Sequence, residues 1–322
     1  MKKIITLLLV LLISLSLSAC GTKPSEEPVL DTKVDKTLEE LKIVAPVGAP
    51  SIAFYNYADS ANFETNGTPS NIVALMSSED GPDVIVIDTV SGINAISNGA
   101  PYCLAATITF GNFYIAQTGN DEDGTLGSDD SIVLFGQNQT PDLVWHYLYG
   151  NEYDEAITFV AAANDAAASL QTGKDLEGND VDYVFLAEPA LFASLNKNEK
   201  ASIYADVQEL YAQKAGTKLI QASVFVRNDL SDETINTFLD SLKADIDAAL
   251  NDPTVIKAGF EKISEDESKA KFGVLAAPVV AVLKNGNRLG LNFEKAYDIK
   301  EDIDNFLSIM NKETSAEEIY FK

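Results

Sequence analysis

The 322-residue sequence predicts an α/β fold with largely parallel sheets. Two observations carry that expectation. Short apolar runs of strand length alternate with amphipathic helical patterns along most of the chain. One run, Asp83-Val84-Ile85-Val86-Ile87, is apolar on both faces, as a strand covered on both sides of a parallel sheet must be. A third observation, the length itself, suggests two domains or one large one.

The amino end is not part of that pattern. Met1-Lys2-Lys3 is basic, Ile4 to Ile13 is apolar apart from Thr6, and Leu17-Ser18-Ala19-Cys20 is small. This is the order of a secretory signal, and its core is shorter than the ~20 apolar residues that span a bilayer. The Leu-Ser-Ala-Cys quartet resembles the lipobox of bacterial lipoproteins. That resemblance implies removal of residues 1–19, lipidation (palmitate included) of Cys20, and an extracytoplasmic protein held on the bacterial cell membrane by its lipid alone. Residues 20–40 are polar and carry Pro24 and Pro28, so they read as a flexible tether, with folded structure beginning near Leu41.

Strands are expected at Leu41 to Pro46, Asp83 to Ile87, Ala105 to Phe110, Tyr114 to Thr118, Ile132 to Phe135, Ile157 to Ala161, Tyr183 to Ala187 and Leu219 to Arg227. Residues Gly119 to Asp130 read as an acidic, Gly-rich loop without the ligand spacing of an EF-hand. Thr140 caps and Pro141 opens a short helix ending at Gly150. Ser231 caps a helix whose stripe is Ile235, Phe238, Leu239, Leu242, Ile246 and Leu250, stopped at Asn251-Asp252-Pro253. A last helix shows Ile299, Ile303, Phe306, Leu307 and Met310 on one face.

Composition narrows the function. The chain has 23 Lys and Arg against 49 Asp and Glu, a formal net charge of −26. Such a balance argues against nucleic acid and against anionic headgroups as partners. With Cys20 lipidated, Cys103 is alone and can form neither an internal disulfide nor a Cys-rich metal site. Phosphate-loop, nucleophile-elbow, His-Glu-x-x-His and Cys-x-x-Cys motifs are absent. The single His, His146, lies within a helical pattern and not at a strand end, so no catalytic residue, metal or cofactor is assigned.

Four strand-to-helix turns hold the candidate binding residues. They contribute Gly48, Pro50 and Ser51; Asp88 and Thr89; Asn138 and Thr140; and Glu188. Ligands of open α/β sheets sit outside the carboxyl ends of the strands, where such turns lie. Free N–H groups at the helix starts make the first turn a ready acceptor site for a polar or anionic group. Asp88 and Glu188 point instead to a neutral or cationic heterocycle with N–H donors. Phe54, Tyr55, Phe113, Tyr114 and Trp145 are candidates to stack on it. Arg227 and Arg288, the only arginines, have no evident place in the cleft.

Taken in order, Val44-Ala45-Pro46-Val47-Gly48-Ala49-Pro50-Ser51-Ile52-Ala53, Gly136 to Leu148, Ala187-Glu188-Pro189-Ala190 and Ile220 to Arg227 resemble bacterial solute-binding proteins of the nitrate/sulfonate/taurine and thiamine-pyrimidine group. The resemblance runs over roughly residues 41 to 250. It implies a two-lobed, type II periplasmic-binding-protein-like fold, with crossovers near Thr109 to Tyr114 and Val224 to Arg227. The first lobe is then residues 41–112, the second 113–227, and residues 228–322 return to the first. It implies a monomer that captures a small organic solute between its lobes and delivers it to the permease and ATPase of an ABC importer. Two other functions fit the same resemblance: a pyrimidine-synthesising enzyme, which needs a reactive His, and a surface sensor or adhesin without transport.

Overall fold

A computed structural model describes residues 33–121, 123–312 and 316–322. The signal sequence, Cys20 and the first part of the expected tether lie outside the described residues. In chain order the elements are β1 (Ile43–Pro46), α1 (Ala49–Ile52), β2 (Phe63–Asn66), α2 (Pro69–Met76), β3 (Val84–Asp88), α3 (Thr89–Ser97) and β4 (Tyr102–Thr109). There follow β5 (Phe113–Gln117), β6 (Ile132–Phe135), α4 (Thr140–Tyr149), β7 (Ile157–Val160), α5 (Ala163–Thr172), β8 (Tyr183–Ala187), α6 (Ala190–Leu195), β9 (Ser202–Asp206) and α7 (Val207–Ala215). The chain closes with β10 (Ala222–Arg227), α8 (Asp232–Asn251), α9 (Ile256–Phe260), α10 (Glu265–Phe272), α11 (Ala276–Lys284), β11 (Leu291–Lys295) and α12 (Lys300–Ile309).

Two sheets result. One has the order β11-β4-β10-β3-β1-β2 and the other β7-β6-β8-β5-β9. β1 is parallel to β2 and β3, and β6 is parallel to β7 and β8. The remaining pairings are antiparallel, so the sheets are mixed rather than largely parallel. The cause is connectivity. β10 and β5 each arrive from the other sheet and run against the direction of their neighbours, and β11 returns antiparallel along the outer side of β4.

The chain crosses between sheets at 110–112 and again at 216–221. The second crossing precedes the expected Val224 to Arg227. Those residues form β10 inside the first sheet, hydrogen-bonded to β3 and β4, so 222–227 do not belong with the second lobe. The end of the expected tether is also docked. Val34 N–H donates to Asp229 O at 2.7 Å, and Lys36 Nζ meets Asp83 Oδ1 at 2.7 Å.

Strand alternation places each sheet between two apolar layers. Ile43, Ala45, Val84 and Val86 face one layer of the first sheet, while Val44, Ile85 and Ile87 face the other. That second layer continues through Phe113, Ile115, Leu134 and Phe185 of the second sheet. Tyr114, Ala116, Val133, Val184 and Leu186 pack on the far face of the second sheet. The first sheet's far layer is completed by α8. Ser231 Oγ accepts from Thr234 N–H at 3.2 Å, and Ile235, Phe238, Leu239, Leu242 and Ile246 are buried. Removing a ring such as Phe238 from that stripe costs ~3–5 kcal/mol.

Candidate functional site

The carboxyl ends of the parallel strands of both sheets converge on one cleft of about 130 Å³. The ends of β1, β2, β3, β6, β7 and β8, with the turns after them, supply its walls. Asn112, Phe113, Gln221 and Ala222, at the two crossings, line it as well, and Phe272 and Val274 close one side. The lining is predominantly apolar, and among the described lining residues there is no Lys or Arg.

The first turn works as its residues suggest. Gly48 caps α1 at φ 119°, a conformation other residues avoid, and Pro50 sits in the first helical turn, where its missing N–H costs nothing. Both line the cleft. Ser51 does not. Its Oγ donates to Gly48 O at 2.8 Å and is buried inside the lobe.

Asp88 ends β3 and caps α3, accepting Ser91 N–H at 3.0 Å through Oδ1. The same oxygen accepts from Thr140 Oγ1 at 3.2 Å. Oδ2 is buried without a hydrogen-bond partner. Burial pushes this carboxyl above the usual aspartate range, against the hydrogen bonds from Ser91 and Thr140. Thr89, next in sequence, is turned away from the cleft. Its hydroxyl lies 2.7 Å from Ser223 Oγ and donates to Gln221 O.

At the third turn the cap falls one residue earlier than expected. Gln139 caps α4, and Thr140 lies within the helix with its hydroxyl engaged by Asp88. Asn138 is exposed at φ 61° and outside the cleft, its N–H donating to Asp142 Oδ2 at 2.7 Å. Gln139 takes its place in the lining.

Glu188 lines the cleft, but its carboxylate serves the protein. It is 1 % exposed, Oε2 accepts Phe192 N–H at 2.9 Å at the start of α6, and Oε1 is ion-paired with Arg288. The Glu188–Pro189 peptide is cis. Arg288 comes from the loop between α11 and β11, so the pair ties the two lobes together. Its guanidinium also lies over the Tyr114 ring, 4.9 Å from the centroid. Burial raises the Glu188 carboxyl and Arg288 opposes that shift.

The crossings add two residues that sequence reasoning missed. Asn112 Nδ2 donates to Glu188 O at 2.9 Å, and Gln221 Nε2 donates to Asn112 Oδ1 at 2.7 Å. A polar Gln within the apolar run Leu219 to Arg227 was the available signal. Of the five proposed stacking aromatics, Phe113 lines the cleft. Phe54, Tyr55 and Trp145 are core, and Tyr114 is covered by Arg288. Phe135 and Phe272 were missed, although Phe135 directly precedes the Gly136 turn. His146 is away from the cleft, its ring nitrogens held by Asp142 O at 2.9 Å and Asp154 Oδ1 at 3.0 Å. Cys103 is half-buried and burial pushes its thiol up to about 11.

No family model matches the chain, and no curated protein does. Solved structures do. An ABC transporter protein from Parabacteroides distasonis superposes with a TM-score of 0.65 at 18% identity, covering 84% of this chain and 92% of that one. The periplasmic aliphatic sulphonate binding protein SsuA from Escherichia coli gives 0.60 at 12% identity, covering 87% and 92%. A Candida albicans protein described as exhibiting the generic periplasmic binding protein structural fold gives 0.50 at 11% identity, covering 84% and 87%. At these identities the likeness is one of fold. The chain has the two-lobed periplasmic binding protein fold, of type II by the order of its strands.

Proposed function

We propose that this chain is the solute-binding component of an ABC importer. It captures a small organic solute between its lobes and passes it to a separate permease and ATPase. In this reading it acts as a monomer outside the cytoplasm and is held at the membrane by lipid on Cys20. The observation that carries the reading is the cleft itself. It is apolar, lies where six strand ends converge, and takes walls from both lobes and both crossings. A ligand there touches both lobes at once, which is the condition for binding to favour closure.

The reading includes no chemistry on the ligand. In support, no Cys, Ser, His, Lys or Tyr is among the described lining residues. The pyrimidine-synthesising alternative would have to use His146, which Asp142 and Asp154 hold outside the cleft. Among the described residues no helix is long and apolar enough to cross a membrane, which accords with a separate permease. A surface sensor would use the same cleft and differ only in lacking a permease partner.

The test is a thermal-shift screen against sulfonates, nitrate, pyrimidines and vitamins, followed by calorimetry and mass spectrometry of the recovered ligand. The expected result is one-to-one binding at micromolar affinity, about −8 kcal/mol, with the ligand unchanged. A ligand returned chemically altered would contradict the reading.

A further inference from the structure

Resting on that reading, we infer that the cleft selects a compact, N–H-donating organic ligand and rejects oxyanions. The first observation is which lining atoms lack partners. Among the described lining residues, the buried side-chain polar atoms without a hydrogen bond are Asp88 Oδ2, Glu188 Oε1 and Gln221 Oε1, all acceptors. Glu188 Oε1 faces Arg288. Asp88 and Gln221 therefore remain, and each unmet acceptor is a group whose burial a donor would offset.

The identity of the Gln221 atom is fixed by its neighbours. Asn112 donates Nδ2 to the backbone carbonyl of Glu188, which can only accept. Asn112 therefore turns Oδ1 toward Gln221, and Gln221 must answer with Nε2. Oε1 is left over, on a residue that is 8 % exposed at the second crossing.

The second observation is that four of the helix starts around the cleft, those of α3, α4, α5 and α6, already hold a carboxylate, while the single-turn α1, capped by Gly48, holds none. Asp88 accepts Ser91 N–H at α3, and Asp142 accepts Asn138 N–H before α4. Asp165 accepts Ala162 N–H at α5, and Glu188 accepts Phe192 N–H at α6. At α3 and α6 the N–H groups so engaged lie in the first helical turn, where an anion would otherwise bind, and at α4 and α5 the Asp side chains place negative charge in that turn. With no Lys or Arg among the described lining residues, an oxyanion would meet the Asp88 carboxylate, and Arg288, behind the lining, is already paired with Glu188. Phe113, Phe135 and Phe272 supply apolar surface for the ligand's faces. A cleft of about 130 Å³ suits a single small ring; an apolar protein cavity of ~150 Å³ holds benzene.

The experiment is calorimetry on the full chain with 4-aminopyridine, benzamidine and cyclohexylamine in one arm. Methanesulfonate, ethanesulfonate, nitrate and methylphosphonate form the other, at concentrations that would saturate a millimolar site. Three variants accompany the wild type: Asp88→Asn, Gln221→Met and Ala163→Trp, the last filling the cleft from a half-buried position. The expected result is binding of N–H donors, weakened roughly tenfold or more by Asp88→Asn. Ala163→Trp abolishes it, and the oxyanions do not bind. Asp88→Asn keeps a good helix cap, so it carries the test if Gln221→Met disturbs the hinge. Oxyanion binding that Ala163→Trp abolishes would overturn the inference while leaving the solute-binding reading intact. Failure of both arms, with no small molecule found by native mass spectrometry on protein isolated from cells, would overturn both.

Discussion

Thr140 Oγ1 donates to Asp88 Oδ1 at 3.2 Å, joining the start of α4 in one lobe to the end of β3 in the other. The two residues are 52 positions apart, and their bond exists only while the lobes are together. A hydrogen bond to a charged carboxylate contributes about 1.5–3 kcal/mol net. Thr140→Val should therefore shift the unliganded protein toward the open form by about tenfold or more. Small-angle scattering of the unliganded variant should give a larger radius of gyration than wild type. An unchanged radius would mean that other contacts hold the lobes closed.

The second tie between the lobes is the Glu188–Arg288 pair behind the cleft, with Glu188 fully buried at its side chain. Removing one member of such a pair leaves an uncompensated charge, so Arg288→Met should cost about 3 kcal/mol at neutral pH. The pH dependence has a definite sign. Burial raises the Glu188 carboxyl, and the variant loses the Arg288 charge that opposes this. A group whose folded pKa is raised contributes stability that is full below its unfolded value and lost as pH rises through the folded one. The deficit of Arg288→Met should then shrink as pH falls toward the ordinary glutamate range. Glu188→Gln in the same chain should recover part of the neutral-pH loss. Urea denaturation at several pH values checks both; a pH-independent deficit would assign the loss to packing against Tyr114.

Gly290 sits at φ +61° beside the first crossing, and a Cβ there would lie 1.9 Å from Gly111 O. The backbone carbonyl cannot swing away as a side chain could, and Phe110 N–H bonds to Gly290 O at 2.8 Å in the same place. Gly290→Ala should destabilise by about 1–3 kcal/mol. It should also weaken ligand binding, since it displaces the hinge. Gly216→Ala, where a Cβ meets open space at φ +72°, is the control for backbone strain alone. Equal losses in the two variants would remove the steric account.

Cys20→Ser should release the protein from the membrane fraction into the soluble fraction. Two or more acyl chains hold a protein on a bilayer where one does not. Retention of the variant in the membrane would show that Cys20 is not the tether.

The ends of β1, β3, β6 and β8 at the cleft were legible because each belongs to a short apolar run bounded by Gly, Pro or Asp. Ile132 to Phe135 and Tyr183 to Ala187 match β6 and β8 residue for residue. β2, β9 and β11 were not legible. All three lie at sheet edges, where one flank is unpaired and sequences such as Phe63-Glu64-Thr65-Asn66 can be polar. The roles of side chains were harder to read than their positions. Glu188 was placed at the right strand end, but its carboxylate is engaged by an arginine 100 positions later, and local pattern carries no trace of that. Asn138 and Thr140 look alike in a turn. The left-handed conformation of Asn138 sends it outward, and the helical start at Thr140 sends its hydroxyl inward.

The most direct test is a crystal structure of the protein with a ligand that stabilises it in the thermal-shift screen. The account predicts one intact small molecule between the ends of β1 and β3 and those of β6 and β8, in contact with residues of both lobes. A ligand bound elsewhere on the chain, with this cleft empty or collapsed, would contradict it.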